Sequence, residues 1–159
     1  MSKALVLLAL LPFVLAQTPS LKPNFLHPGC TLTYTFQQDC PGLADFLANE
    51  YSLFGPGPNG FYYYLLKTTA NDAGEMFFSG NVTNPGSWYN FDTLVSFQPG
   101  LTSCTVVGQS RSRTMTLFSD GYSNFCNTYV LFKGFGVAPT VSQCKSIPAD
   151  LSICTTPPK

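Results

Sequence analysis

Arg111 and Arg113 lie two residues apart within Gln109–Thr116, where Ser110, Ser112, Thr114 and Thr116 take the alternate positions. In an extended strand that spacing puts both guanidinium groups on one face and the hydroxyls on the other. Planar guanidinium forks suit a carboxylate, a sulfate or a lipid head group, so the pair is a candidate anion contact. The plainer expectation is a solvated strand face with the Ser/Thr series packed inward, or a pairing of the arginines with Asp92 or Asp120.

Other chemistry lacks raw material. The single histidine, His27, sits in a proline-rich lead-in and reads as an exposed residue, poorly placed to serve as an oriented general base. No G-x-S-x-G nucleophile elbow occurs. The acids are Asp39, Asp45, Glu50, Asp72, Glu75, Asp92, Asp120 and Asp150; most fall in turns or on a helix, and Glu75 and Asp92 are the least turn-like. A glycosidase would need two of them about 5–10 Å apart. A carboxylate-dependent hydrolase is therefore the third-ranked expectation, and no catalytic residue is assigned. Eight basic residues balance eight acidic ones, leaving no cation excess to displace nucleic-acid counterions.

Six cysteines fall as Cys30-x9-Cys40, Cys104-x21-Cys126 and Cys144-x9-Cys154. The spacing lacks the C-x2-C pairs of a zinc site, so disulfides are expected and no metal or cofactor is implied. The simplest pairing is sequential: Cys30–Cys40, Cys104–Cys126 and Cys144–Cys154.

Asn81-Val82-Thr83 is an N-glycosylation sequon beside the turn signal Asn84-Pro85-Gly86. Aromatic residues make up 14% of the chain and cluster at Phe61–Tyr64 and at Trp88, Tyr89 and Phe91. Core packing is the expected destination of most of them. Because Tyr62, Tyr63 and Tyr64 are consecutive, both faces of a strand must carry a tyrosine. Tyr62, Tyr64, Trp88 and Tyr89 are accordingly candidate linings for an apolar ligand, or a stacking platform for sugars or a protein partner.

The elements that would hold these residues can be read along the chain. Lys3 followed by the apolar run Ala4–Ala16 is too short to span a membrane, which takes about 20 residues, and reads as a signal peptide cleaved after Ala16. Residues 17–29 form an extended lead-in. Thr31–Phe36 alternates polar and apolar as a half-buried strand, with Leu32, Tyr34 and Phe36 inward. Pro41–Tyr51 is the one helical candidate, stepping through Leu43, Phe46, Leu47 and Glu50. Strands are expected over Phe61–Thr69 and Glu75–Ser79, joined as a hairpin by Asn71-Asp72-Ala73-Gly74. Further strands are expected within Trp88–Phe97, over Cys104–Phe118 and over Asn127–Phe132. Residues 155–159 read as a frayed tail.

This pattern predicts a mostly β fold: an antiparallel sandwich or half-barrel of about six to seven strands with one short helix, in a single disulfide-bonded domain over residues 30–154. The combination of leader, few charges, six cysteines and aromatic strands is loosely similar in architecture to secreted ependymin-related and other half-barrel lipid-binding proteins. No motif carries site residues over from them. The expectation is a secreted, extracellular, non-catalytic protein acting by binding, as a matrix or surface component or with a protein or glycan partner. The alternative is an extracellular carrier of a small apolar or amphipathic molecule.

Overall fold

In the computed structural model, the described residues are 19–21, 27–53, 62–83, 90–113 and 121–155. The expected signal peptide, Trp88, Tyr89, Met115 and Asp120 lie outside them.

Six strands form one antiparallel sheet: β1 (Gly29–Phe36), β2 (Tyr62–Ala70), β3 (Met76–Thr83), β4 (Asn90–Pro99), β5 (Cys104–Ser112) and β6 (Thr140–Ser142). Their order across the sheet is β2-β3-β4-β5-β1-β6. Helix α1 (Cys40–Leu53) follows β1, and α2 (Ser123–Phe132) follows β5. The mostly β, disulfide-bonded expectation holds. Among the described residues the second layer over the sheet is the helix pair, not a second sheet.

Register defines the two faces. Leu32, Tyr34 and Phe36 of β1 stand opposite Gly108, Val106 and Cys104 of β5. Val106 and Gly108 in turn stand opposite Phe97 and Val95 of β4. These residues, with Phe78 and Val82 of β3 and Tyr63 of β2, join Leu43, Ala44 and Leu47 of α1 and Phe125, Leu131 and Phe132 of α2 in one core. Aromatic rings fill the space between the layers: Tyr34 meets Phe132 at 5.0 Å between centroids, and Phe36 meets Phe135 at 5.2 Å.

Local chemistry explains the element ends. Asp39 caps α1, its Oδ2 accepting the backbone N–H of Gly42 at 3.2 Å, with Pro41 in the first turn. The β2–β3 turn is organised by Asn71: its Oδ1 accepts the N–H groups of Ala73 and Glu75, and Gly74 takes the positive φ of 76°.

Asn127–Phe132, expected as a strand, belongs to α2. Its β-branched and aromatic residues suggest a strand, but one stripe of its buried residues, Asn124, Asn127, Thr128 and Leu131, runs at helical steps. Three of those four are polar, so a hydrophobic-periodicity reading misses the stripe. Gly108 lets α2 approach β5: a Cβ there would meet Thr128 Cβ and Cγ2 at 3.3 Å.

The sequential disulfide pairing is corrected. The bridges are Cys30–Cys144, Cys40–Cys104 and Cys126–Cys154. Cys30 lies at the start of the extended β1 and Cys40 beyond its end; the strand rises about 3.3 Å per residue and carries them far beyond the about 7 Å Cα limit for a bridge. Strand β5 likewise separates Cys104 at its start from α2, which follows its far end. Because Phe36 lies opposite Cys104, the chain just beyond β1 brings Cys40 to β5.

Candidate functional site

The face of the sheet turned away from the helices carries the candidate site. One row across it runs Tyr64 (β2), Asn81 (β3), Asp92 (β4) and Arg111 (β5), each opposite the next. Arg113 follows β5, its backbone N–H donating to Asn90 O at 2.8 Å. Strand alternation sends Ser110 and Ser112 inward, where both are buried, and Arg111 outward with Asp92.

The two arginines converge on one carboxylate. Arg111 Nη2 donates to Asp92 Oδ2 at 3.1 Å, and Arg113 Nε donates to Asp92 Oδ1 at 2.5 Å. Arg113 Nη2 also donates to Asn81 Oδ1 at 2.7 Å. The expected pairing with Asp92 is thus present. Two guanidinium groups against one carboxylate leave the cluster one positive charge. The side chains of Asp92, Arg111 and Arg113 are 21, 33 and 48% exposed, so the cluster remains open to solvent.

Next to the cluster lies a groove of about 260 Å³. Pro19 and Leu21 of the lead-in, Leu66 of β2 and Leu94 of β4 supply its apolar lining, and Asn81 and Arg113 edge it. The lead-in is held on this face by Leu21 N–H, which donates to Gln109 Oε1 at 2.8 Å. Leu66 is 60% exposed and falls at a register shift between Leu65 and Lys67. Phe77 and Leu94 are buried on this same face, so it is not a uniformly solvated surface.

Of the expected aromatic lining, Tyr64 is 48% exposed on the outer face beside the groove, Tyr62 is half-buried on that face, and Tyr63 is in the core. The described groove lining holds no aromatic residue, and its apolar part is aliphatic.

His27 is half-buried against β5, its Nδ1 3.1 Å from Ser112 O, in place of the exposed position expected. It belongs to the junction that fixes the lead-in. There Asn124 Nδ2 donates to Pro28 O at 3.0 Å and to Ser112 Oγ at 2.9 Å, while Ser110 Oγ donates to Asn124 Oδ1 at 2.9 Å. No spacing rule marks a buried asparagine on a helix, so this role of Asn124 is not readable from sequence.

Glu75 and Asp92 do not converge. Glu75 accepts from Asn71 Nδ2 at 2.6 Å in the β2–β3 turn, while Asp92 lies opposite Asn81. Six residues of extended chain separate Glu75 from Asn81, about 20 Å at about 3.3 Å per residue. Among the described residues, no three His, Cys, Asp or Glu side chains form a group able to hold a metal. Nor is any described helix long and apolar enough to cross a membrane. Together with three disulfides, this is compatible with a secreted protein.

No family model matches the sequence, and neither a curated protein nor a solved structure matches it.

Proposed function

We propose that this chain is a secreted, disulfide-bonded protein that acts by binding, without catalytic chemistry of its own, and that the outer face of its sheet is the working surface. The observation that carries the reading is the Arg111–Asp92–Arg113 cluster beside an apolar groove. A site of net charge +1 at the edge of an aliphatic groove suits a protein segment with an acidic side chain next to an apolar one. The carboxylate seats on the guanidinium groups and the apolar side chain enters the groove.

Selection of a displayed peptide library on the wild-type sequence, made in a host that adds no N-glycan, tests this. Peptides pairing Asp or Glu with apolar residues are the expected winners, and their binding is expected to be lost on R111Q/R113Q. Winners without an acidic residue, or binding indifferent to the double substitution, would contradict the reading.

The aliphatic lining also favours a second reading, carriage of a small amphipathic anion. At about 260 Å³ the open groove falls just under the about 300 Å³ at which small-molecule pockets begin. It would therefore hold only part of such a ligand. Native mass spectrometry of the purified protein checks this: a co-purifying amphiphile supports carriage, and a bare chain opposes it.

A further inference from the structure

We propose that Asn81 carries an N-linked glycan whose first sugars lie over Tyr64 and Leu66, so that occupancy of this one sequon governs access to the outer-face groove. The gating rests on the binding reading above; the glycan seat does not.

The sequon lies in β3 itself, not in the turn after it. Strand alternation puts Asn81 and Thr83 on the outer face and Val82 in the core, so the amide and the hydroxyl that the modification requires share one side. The Asn81 amide is already oriented. Its Oδ1 accepts from Arg113, which reaches across from the β5 side. Its Nδ2 bonds to no described residue and is not buried. Since oxygen and nitrogen diverge from one carbon, holding Oδ1 toward β5 turns Nδ2 away from β5, toward the β2 side. The cross-strand partner on β2 is Tyr64, and Leu66 is two residues on.

Tyr64 and Leu66, two residues apart on β2, are both exposed large apolar side chains. An exposed apolar pair beside a polar cluster suits a cover that is apolar on one side and polar on the other. A pyranose presents C–H groups on one face and hydroxyls at its rim, which fits that requirement. Asn81 and Leu66 both line the groove, so a sugar seated between them stands at its mouth.

The covalent step uses a polyprenyl-diphosphate-linked oligosaccharide and a transferase of the secretory lumen, acting on the chain before β3 is enclosed. Nδ2 attacks C1 of the first sugar and a C–N bond forms. The C1–O bond to the diphosphate breaks, and its electron pair leaves on the polyprenyl diphosphate. Nδ2 gives up one proton to a base of the transferase. Oδ1 keeps its lone pairs, so the Arg113 bond survives the modification.

The test uses the full chain secreted by a eukaryotic host as wild type, T83S, which keeps the sequon, and T83V, which removes the hydroxyl at nearly constant shape. N81Q is a second unglycosylated variant should T83V fold poorly. Intact mass reports occupancy, and hydroxyl-radical footprinting reports exposure of Tyr64 and Leu66. The glycan is expected on wild type and T83S alone, with Tyr64 and Leu66 oxidised severalfold more slowly there than in T83V or N81Q. An unglycosylated wild type overturns the proposal, and so does equal oxidation of these residues in all variants. Substitution of Arg111 tests the binding reading separately, because Arg111 makes no bond to Asn81.

Discussion

At the residue scale, two buried groups show how this core treats polar atoms. Tyr34 is buried, and its hydroxyl has no hydrogen-bond partner among the described residues. Burial, with Tyr129 nearby, holds its pKa above the usual tyrosine value of 10.0. A raised folded-state pKa favours the neutral form, so its contribution to stability is complete below pH 10 and is lost as pH rises beyond that. Y34F removes the unpartnered hydroxyl while keeping the ring contacts with Phe36 and Phe132. It is expected to leave stability at neutral pH unchanged or raised by up to about 1 kcal/mol, and to flatten its alkaline decline. Chemical denaturation at pH 7 and above pH 10 checks both. A clear loss at pH 7 would mean that the hydroxyl is satisfied. Asn124 is the opposite case: its amide bonds to the lead-in and to both inward serines of β5. The inward Ser110 and Ser112, and the outward arginines, were legible because strand alternation is a two-residue rule. The asparagine that meets the serines was not, because its partners lie far from it in sequence.

At the element scale, the outcome turns on which side chains can share a face. Leu32, Tyr34 and Phe36 were readable as core because every second residue of β1 is apolar. The β2–β3 hairpin was readable from its turn chemistry, since Asn71 and Gly74 both do what such residues do in turns. Helix α2 was not readable, because its sheet-facing stripe is largely asparagine and threonine and its remaining residues suit a strand. Its close seat on β5 depends on the missing side chain at Gly108. G108V would press two methyl groups against Thr128 and force α2 outward. A loss of about 1–3 kcal/mol is expected, as for other overpacked cores, with the melting midpoint as the measurement. An unchanged midpoint would show that α2 can shift freely. The groove is likewise a product of elements: the lead-in, bonded through Leu21 to Gln109, lies across a sheet whose first strand begins eight residues later in the chain.

At the scale of the whole molecule, the three disulfides tie elements that the sheet alone leaves loose. Cys30–Cys144 joins β1 to the chain after β6, Cys40–Cys104 joins the start of α1 to β5, and Cys126–Cys154 joins α2 to the C-terminal 3-10 turn at Leu151–Thr155. Their sequence separations are 114, 64 and 28 residues. Loops of this size correspond to about 3–5 kcal/mol each in the chain-entropy description. A non-reducing peptide map is expected to recover these three pairs; recovery of Cys30–Cys40 or Cys144–Cys154 would contradict the fold. The matching x9 spacings at the two ends of the chain favour sequential pairing, but the extended β1 holds Cys30 and Cys40 apart, and Cys144 and Cys154 are taken up by Cys30 and by Cys126 of α2. Which cysteines meet is a property of the sheet order, and that order is set by pairings between distant segments.

With one face of the sheet filled by helices and aromatic rings, the account stands on the other face being the surface that meets a partner. Site-specific photocrosslinking tests this most directly. A benzophenone side chain is placed at Leu66, in the groove, and separately at Asp45, exposed on α1 across the sheet. The partner is an acidic–apolar peptide selected on the wild-type sequence made without an N-glycan, and the crosslinking and competitor proteins are made the same way. The account predicts a crosslink from position 66 that free wild-type protein competes away, and none from position 45. A crosslink from position 45 with none from position 66 would contradict it.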